Sequence, residues 1–190
     1  MIKLRKIEIS DLENYQYWKL PIHKYHSLNG PYFKKKTDKE VRNLIEDMRS
    51  KFGNTFNNPL SQKKLISNDE NHIIGEVSWY WRSEETLWIE IGIVIFDEQY
   101  WGKGIGYKAM KLWITELFDT KQEIVRLGFT TWSGNIGMIK LAKKLKMKKE
   151  AEYRKARIVN GKYYDSVSFG ILKEEWSKKT SSINKESKRR

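Results

Sequence analysis

The stretch "LWIEIGIVIFDEQYWGKGIGYKAMKLWI", residues 87–114, limits what this chain can fold into more than any other segment. A nearly continuous apolar run reads as a central strand, and it feeds directly into glycines at 102, 104 and 106. Behind them Met110, Trp113, Ile114 and Leu117 recur at helical spacing. Strand, glycine loop and helix in that order make an anion cradle. Successive N–H groups at a helix N-terminus converge on an anion, the helix dipole adds partial positive charge, and glycine keeps a Cβ out of the way. Taken alone, three glycines are as often turn punctuation. Two familiar phosphate motifs do not fit: G-x-G-x-x-G needs glycine where the chain has Tyr107, and G-x-x-x-x-G-K-[ST] has no match.

The flanking sequence supplies the rest of a mixed sheet. "KLRKIEI" alternates like a strand, and Ser10 with Glu13 reads as a capping box opening a short helix to about Trp18. Thr37 with Glu40 is a second capping box, for an amphipathic helix over 38–52 that "GNTFNNP" ends. "KKLIS", "HIIGEVSWYW" and "LWIEIGIVIF" read as an antiparallel meander joined by polar turns. "EIVRLGFTTW" is a further strand, followed by "SGN" and a helix from about Ile136 to Lys149. That helix has Ile139, Ala142 and Leu145 on one side and Lys140, Lys143, Lys144, Lys146 and Lys148 on the other. The Asn160-Gly161 pair predicts a type I′ hairpin joining "EAEYRKARIV" to "KYYDSVSFGIL". The strand–helix–strand connection over 87–131 predicts one parallel pair in an otherwise antiparallel sheet.

Composition narrows the function. The chain of 190 residues has no cysteine, which removes disulfides, thiolate metal sites and a cysteine nucleophile. It also fits a reducing compartment, so the reading is a cytoplasmic protein with no membrane partner. The net charge of +13 is concentrated, since residues 140–162 hold ten Lys and Arg against two Glu. A basic helix beside a phosphate cradle could hold further phosphates of one elongated ligand, although a lysine-rich helix is more often a solvated face. Residues 1–176 read as one domain and 177–190, "SKKTSSINKESKRR" included, as a basic, disordered tail.

These pieces, in this order, resemble the GNAT superfamily of acetyl-CoA-dependent N-acetyltransferases, in the branch similar to ribosomal-protein N-terminal acetyltransferases. The resemblance is densest in "IEIGIVIFDEQYWGKGIGYKAM", "TTWSGNIGMIKLAKKLKM" and "GKYYDSVSFGILKEEW". It implies an α+β, three-layer fold with a twisted, mostly antiparallel sheet and a cofactor cleft between two splayed parallel strands. It further implies that acetyl-CoA is the acetyl donor, with no metal, and that backbone groups near Val94 and Ile95 pair with the pantetheine arm. Trp101, Gly102, Lys103, Gly104, Ile105 and Gly106 would wrap the pyrophosphate, and Asn135 would lie beside the pantetheine. Trp101 stands where the superfamily usually has Gln or Arg before its glycine pair.

Acyl transfer to an amine needs a base for the ammonium proton, donors for the oxyanion and help for the leaving thiolate. Glu90, upstream of the cradle on the central strand, is the candidate base, and Glu76 on the preceding strand is the reserve. Glu90 could equally point to solvent or pair with a lysine across the sheet. The family's acid positions hold Ala142 and Met138 here, which leaves Ser133, Tyr163 and Tyr164 as substitutes. The segment "YQYWKLPIHKYHSLNGPYF", with His23 and His26, lies where GNAT members bind substrate. With Trp79, Trp81 and Trp88 it suggests an enclosed, partly apolar pocket for a small amine or a peptide N-terminus. A polyamine would need a carboxylate cluster, and Glu84-Glu85 is the adjacent acidic pair near the strands. A homodimer is left open. Two alternatives are a catalytically idle, coenzyme A-binding sensor module and a basic protein binding RNA or the ribosome. No helix-turn-helix spacing, zinc ligand set or RNA-binding aromatic motif favours nucleic acid.

Overall fold

The computed structural model describes residues 1–52 and 59–178. In chain order the elements are β1 (Ile2–Arg5), α1 (Leu12–Lys19), α2 (Asp38–Ser50), β2 (Lys63–Asn68), β3 (Ile73–Ser83) and β4 (Trp88–Ile95). They continue with α3 (Ile105–Thr120), β5 (Arg126–Trp132), α4 (Ile136–Lys144), β6 (Lys148–Val159) and β7 (Lys162–Leu172). The strands described form one sheet in the order β1-β2-β3-β4-β5-β7-β6. Every neighbour is antiparallel except β4 and β5, whose parallel crossover is α3. That pair keeps register at Ile89↔Leu127 and Glu90↔Gly128 and then parts.

Side-chain alternation divides the sheet into two faces. Ile89 and Ile91 of β4, Leu127 and Phe129 of β5, and Phe169 of β7 pack against Met110, Trp113, Ile114 and Leu117 of α3. All are essentially buried, at about 1.5–3 kcal/mol each relative to exposure. The Trp113 indole donates to the Ser78 carbonyl at 3.0 Å, so the largest side chain of α3 is also oriented. On the opposite face a second cluster, including Leu12, Tyr15, Ile45, Leu65 and Phe96, lies under α1 and α2 and reaches Val94 and Trp101. Further toward β5 and β7 the same face carries Glu90, Thr130 and Ser168 instead.

Three expectations need correction. The first capping box is Glu8 with Asp11 on a 3-10 turn, Ile9–Asp11, rather than Ser10 with Glu13. Asp11 is fixed there because Arg5 grips its carboxylate from two nitrogens, at 2.6 and 2.7 Å. The basic helix ends at Lys144, short of Lys149, because Lys146 turns left-handed at φ 57°. Lys146 N–H then bonds the Lys143 carbonyl and Met147 N–H that of Ala142, a Schellman close, and Lys148 and Lys149 begin β6. Trp79 and Trp81 share the face packed on α3, two residues apart in β3, so they do not wall the Glu90 side. The Thr37–Glu40 box caps α2 as expected, and Asn160 and Gly161 take φ 50° and 73° in the hairpin turn. "GNTFNNP" lies, apart from Pro59, outside the described residues.

Glu76 pins α1 to the sheet. It accepts from the Tyr15 hydroxyl at 2.5 Å and from Lys19 Nζ at 2.6 Å. Burial alone would raise its pKa, but the Lys19 and Lys63 charges and the Tyr15 hydroxyl overrule burial and hold it at about 2. A carboxyl depressed in the folded state stabilises fully above its unfolded pKa, and that contribution disappears as pH falls from the ordinary 4.5 through about 2. Glu76→Gln leaves Lys19 buried without its counter-charge and should cost about 3–5 kcal/mol at pH 7. Urea melts of both proteins from pH 7 to pH 3 check this: the gap between them should narrow toward the acid end.

Candidate active site

The site is built where β4 and β5 part. Phe96 N–H donates to the Ile74 carbonyl at 2.9 Å, so the β3–β4 ladder pairs the even residues of β4, and Val94 faces Glu76 in it. By alternation the peptide groups of Ile93 and Ile95 turn the other way, toward the gap left by β5. This refines the expectation for Val94 and Ile95: Ile93 and Ile95 offer the backbone, whereas Val94 contributes its side chain. The Ile95 carbonyl accepts from the Trp101 indole at 3.0 Å. Trp101 therefore ties the glycine loop to the frayed end of β4.

A cavity of about 500 Å³ runs along this gap. Val94, Ile95 and Trp101 line it from the strand end, Gly102, Gly104, Ile105 and Gly106 from the loop, and Asn135 from the far side. Lys103 is exposed and is not part of the lining. Gly102 and Gly104 have φ of 72° and 79°, a region costly for other residues, and a Cβ on either would meet no protein atom within 4 Å. Backbone conformation thus demands these glycines, and open space lies over them. Gly104 is the N-cap of α3 and makes no side-chain cap, so the first N–H groups of α3 remain available. Lys140 and Lys144 of α4 complete this end, Lys144 Nζ standing 4.8 Å over the Tyr107 ring. An uncapped helix start, open glycines and two cations suit an anion such as a pyrophosphate.

The cavity's other wall falls within the aromatic segment 15–33 that the resemblance placed at the substrate site, although the lining residues themselves were not singled out. Tyr25, Leu28 and Asn29 line it from the loop between α1 and α2. The Leu28 carbonyl is the latch, accepting from the Trp132 indole at 3.0 Å and from Asn135 Nδ2 at 3.2 Å. Asn135 Oδ1 meanwhile caps α4 by accepting from Met138 N–H. No local pattern announces a bond across a hundred residues, although the density of aromatic side chains in this loop marked it as packed. His23 and His26 face backbone carbonyls, of Tyr17 at 2.7 Å and Leu20 at 3.0 Å, which gives both a structural role.

Glu90 lies outside the cavity lining, on the face of Val94 with only Gly92 between them. It is 4% exposed, and burial raises its pKa above the ordinary value even though Arg126, Thr130 and Arg82 pull the other way. Thr130 Oγ1 donates to Glu90 Oε2 at 3.3 Å and is itself 2.9 Å from Ser168 Oγ, a hydroxyl chain running across β5 to β7. Ser133 Oγ is occupied by Asp165 N–H, Tyr163 is exposed, and Tyr164 packs edge-on against Trp132. None of these three lines the cavity. The described residues contain no cluster of metal-ligating side chains and no helix long and apolar enough to cross a membrane.

Comparison with known proteins identifies this architecture. Residues 2–148 match the family model described as acetyltransferase (GNAT) domain. The chain belongs to the GNAT acetyltransferases. Two curated relatives come from Bacillus subtilis (strain 168). The SPbeta prophage-derived uncharacterized N-acetyltransferase YokL is 30% identical over 107 residues, covering 56% of this chain and 59% of YokL. The uncharacterized N-acetyltransferase YnaD is 30% identical over 114 residues, covering 60% of this chain and 65% of YnaD. The chain thus matches about three-fifths of each relative's length. Among solved structures, a Vibrio cholerae spermidine N-acetyltransferase in complex with CoA and spermine superposes with a TM-score of 0.72 at 16% identity, over 92% of this chain and 97% of that one. A GNAT-family acetyltransferase from Bacillus anthracis gives 0.68 at 19%, over 92% and 96%. At these identities the likeness is one of fold. The named relatives are spermidine acetyltransferases or GNAT proteins of unspecified acceptor, so the ribosomal-protein branch does not follow from them.

GNAT acetyltransferases use acetyl-CoA, and a substitution in the cradle tests whether its pyrophosphate is the anion this site takes. Gly104→Asp adds a side chain to a left-handed position and a negative charge to the anion end. Coenzyme A affinity should fall by at least about 100-fold, or ~2.7 kcal/mol. Calorimetry measures the affinity, and circular dichroism checks that the variant is folded.

Proposed function

We propose that this protein moves the acetyl group of acetyl-CoA to a primary amine by direct attack in a ternary complex. The observation that carries the reading is the uncapped start of α3 under two open, left-handed glycines, at the mouth of a cavity between parting parallel strands. Residues 101–106 and Lys140 and Lys144 would hold the phosphates, and Val94, Ile95 and Asn135 would flank the pantetheine arm. When bound, acetyl-CoA supplies an activated thioester carbonyl. The chain's own part begins with Glu90 as general base. An amine arrives as ammonium and must lose a proton before it attacks, and a carboxylate made more basic by burial is better matched to that step near neutral pH. Gly92 adds no side chain between Glu90 and the cavity, and the Ser78 hydroxyl of β3 stands over it, 2.8 Å from where a Cβ would lie. Glu76 is a poor alternative, because it is ion-paired and depressed in pKa. Ser133, Tyr163 and Tyr164 are engaged or exposed elsewhere, so no dedicated acid is assigned.

The acceptor in this reading is a small amine or a peptide N-terminus, and the resemblance to ribosomal-protein N-terminal acetyltransferases favours the second. Residues 1–176 would be the catalytic domain and 177–190 a basic tail, of which 179–190 lie outside the described residues. A cytoplasmic location and a homodimer remain compatible with it. An idle sensor would have no use for a buried carboxylate of raised pKa beside the cavity, which weighs against that alternative.

Titration with acetyl-CoA, with NADH and ATP as controls, tests the donor; selective binding of acetyl-CoA is expected. Glu90→Gln should bind acetyl-CoA like the parent and turn over roughly 100- to 10,000-fold more slowly. The sign of the pH effect follows from the raised pKa. The parent's kcat/KM should fall as pH drops through a value above the ordinary 4.5, where Glu90 becomes protonated. That acid limb should be missing in the variant, and a parent-like profile would remove Glu90 from the mechanism.

A further inference from the structure

Glu90, Gly128 and Gly170 stand in one register row across β4, β5 and β7. Glycine weakens the interior of a strand, so two glycines paired in one row need a reason. The reason lies on top of them. A Cβ on Gly128 would come within 2.7–2.9 Å of the Arg126 guanidinium, and one on Gly170 would run into the Glu150 carboxylate. The glycines form a floor on which Arg126 folds back along its own strand to meet Glu150 in a close ion pair. On its other flank Arg126 Nη1 is 3.9 Å from Glu90 Oε1, and the guanidinium lies 5.1 Å from the centre of the Trp88 ring. Two carboxylates and an indole face around a cation are the ingredients of an ammonium site. Here the cation belongs to the chain, and its side chain is only 22% exposed.

We propose that Arg126 is a built-in counter-cation that sets the charge of the acceptor: the site takes an amine with a single positive charge, such as a peptide N-terminus, and turns away polyamines. This rests on the acetyltransferase reading, with Glu90 marking where the amine reacts. A polyamine brings two or more ammonium groups and needs carboxylates that nothing else neutralises. Near Glu90 it meets Arg126 and, from β3, Arg82, both of which act electrostatically on Glu90. Glu150 is taken, and a guanidinium cannot be deprotonated to release it. Selection would come from a repulsive element already in place, not from an added contact. The acidic pair Glu84 and Glu85 is exposed on the β3–β4 turn.

The test compares spermidine with alaninamide, which carries one ammonium. Both are titrated calorimetrically into the CoA-loaded parent, Arg126→Lys and Arg126→Gln, and initial rates are measured in parallel with acetyl-CoA. The parent and the Lys variant should prefer alaninamide by at least about 10-fold, or ~1.4 kcal/mol. Arg126→Gln should shift the spermidine-to-alaninamide ratio toward spermidine by at least that factor. A parent that binds spermidine as well as alaninamide overturns the proposal, as does an Arg126→Gln protein whose ratio is unchanged or that binds neither amine. Arg126→Met, which keeps an unbranched apolar stem without the charge, replaces Gln if that variant does not fold. The CoA-loading step separates the two ideas. Absence of CoA binding sinks the acetyltransferase reading, whereas the amine ratio, measured also on the unloaded protein, judges Arg126.

Discussion

A strand pair that stops pairing inside a sheet leaves peptide groups that water or a partner must satisfy, and in this fold β4 and β5 stop after two registered pairs. Much else in the structure follows from that gap. The Ile95 carbonyl at its edge receives the Trp101 indole, which sets the glycine loop at the end of β4. The loop turns left-handed at Gly102 and Gly104 and starts α3 without a cap. The helix on the other side of the gap, α4, begins with Asn135, whose side chain both caps the helix and holds the Leu28 carbonyl. Two helices therefore start at one gap, and α3 is the one whose N-cap, Gly104, has no side chain to accept from its first turn. That asymmetry makes one end of the cavity suited to phosphate and the other to a less charged arm.

The sheet also separates two carboxylates that sequence alone placed on similar strands. Glu76 lies under α1 with Lys19 and Tyr15, and opposite charge holds its pKa low. Glu90 lies where that helical cover ends, with Arg126 at 3.9 Å, too far for a hydrogen bond, and burial prevails. Their pKa values move in opposite directions because one has a close ammonium and the other has hydroxyls and a distant guanidinium. Environments that push two acids apart suit them to different tasks, Glu76 to holding the fold and Glu90, in the reaction proposed above, to moving a proton.

Patterns set by near neighbours were legible in sequence, and bonds across the fold were not. The strand–glycine–helix unit, the Thr37–Glu40 box and the Asn160-Gly161 turn each depend on residues within a few positions, and each appears as read. The Ser10–Glu13 box failed because Arg5 claims Asp11 and moves the cap upstream. The end of α4 was overrun because lysine is a good helix former and nothing in "KKLKMKK" resembles a glycine stop, yet Lys146 takes the left-handed position. The Leu28 latch and the Arg126–Glu150 pair join segments far apart in the chain. The strand-interior glycines at 128 and 170 were the available hint of the second.

The charge excess has a similar resolution. In the basic stretch over 140–162, Lys148 pairs with Glu175, Lys149 with Glu152, and Arg157 stacks 4.7 Å over Tyr32. Lys140 and Lys144 are the members of that stretch that reach the cavity. A nucleic-acid footprint calls for cations gathered in one patch or groove that follows a phosphate backbone. Here the block divides between α4 and the β6–β7 hairpin, with part of it neutralised by local carboxylates. The cations left at the cavity mouth are two lysines one helical turn apart, beside the uncapped start of α3. Two lysines beside the open glycine loop match the charge of a single small phosphate ligand better than that of a nucleic-acid backbone.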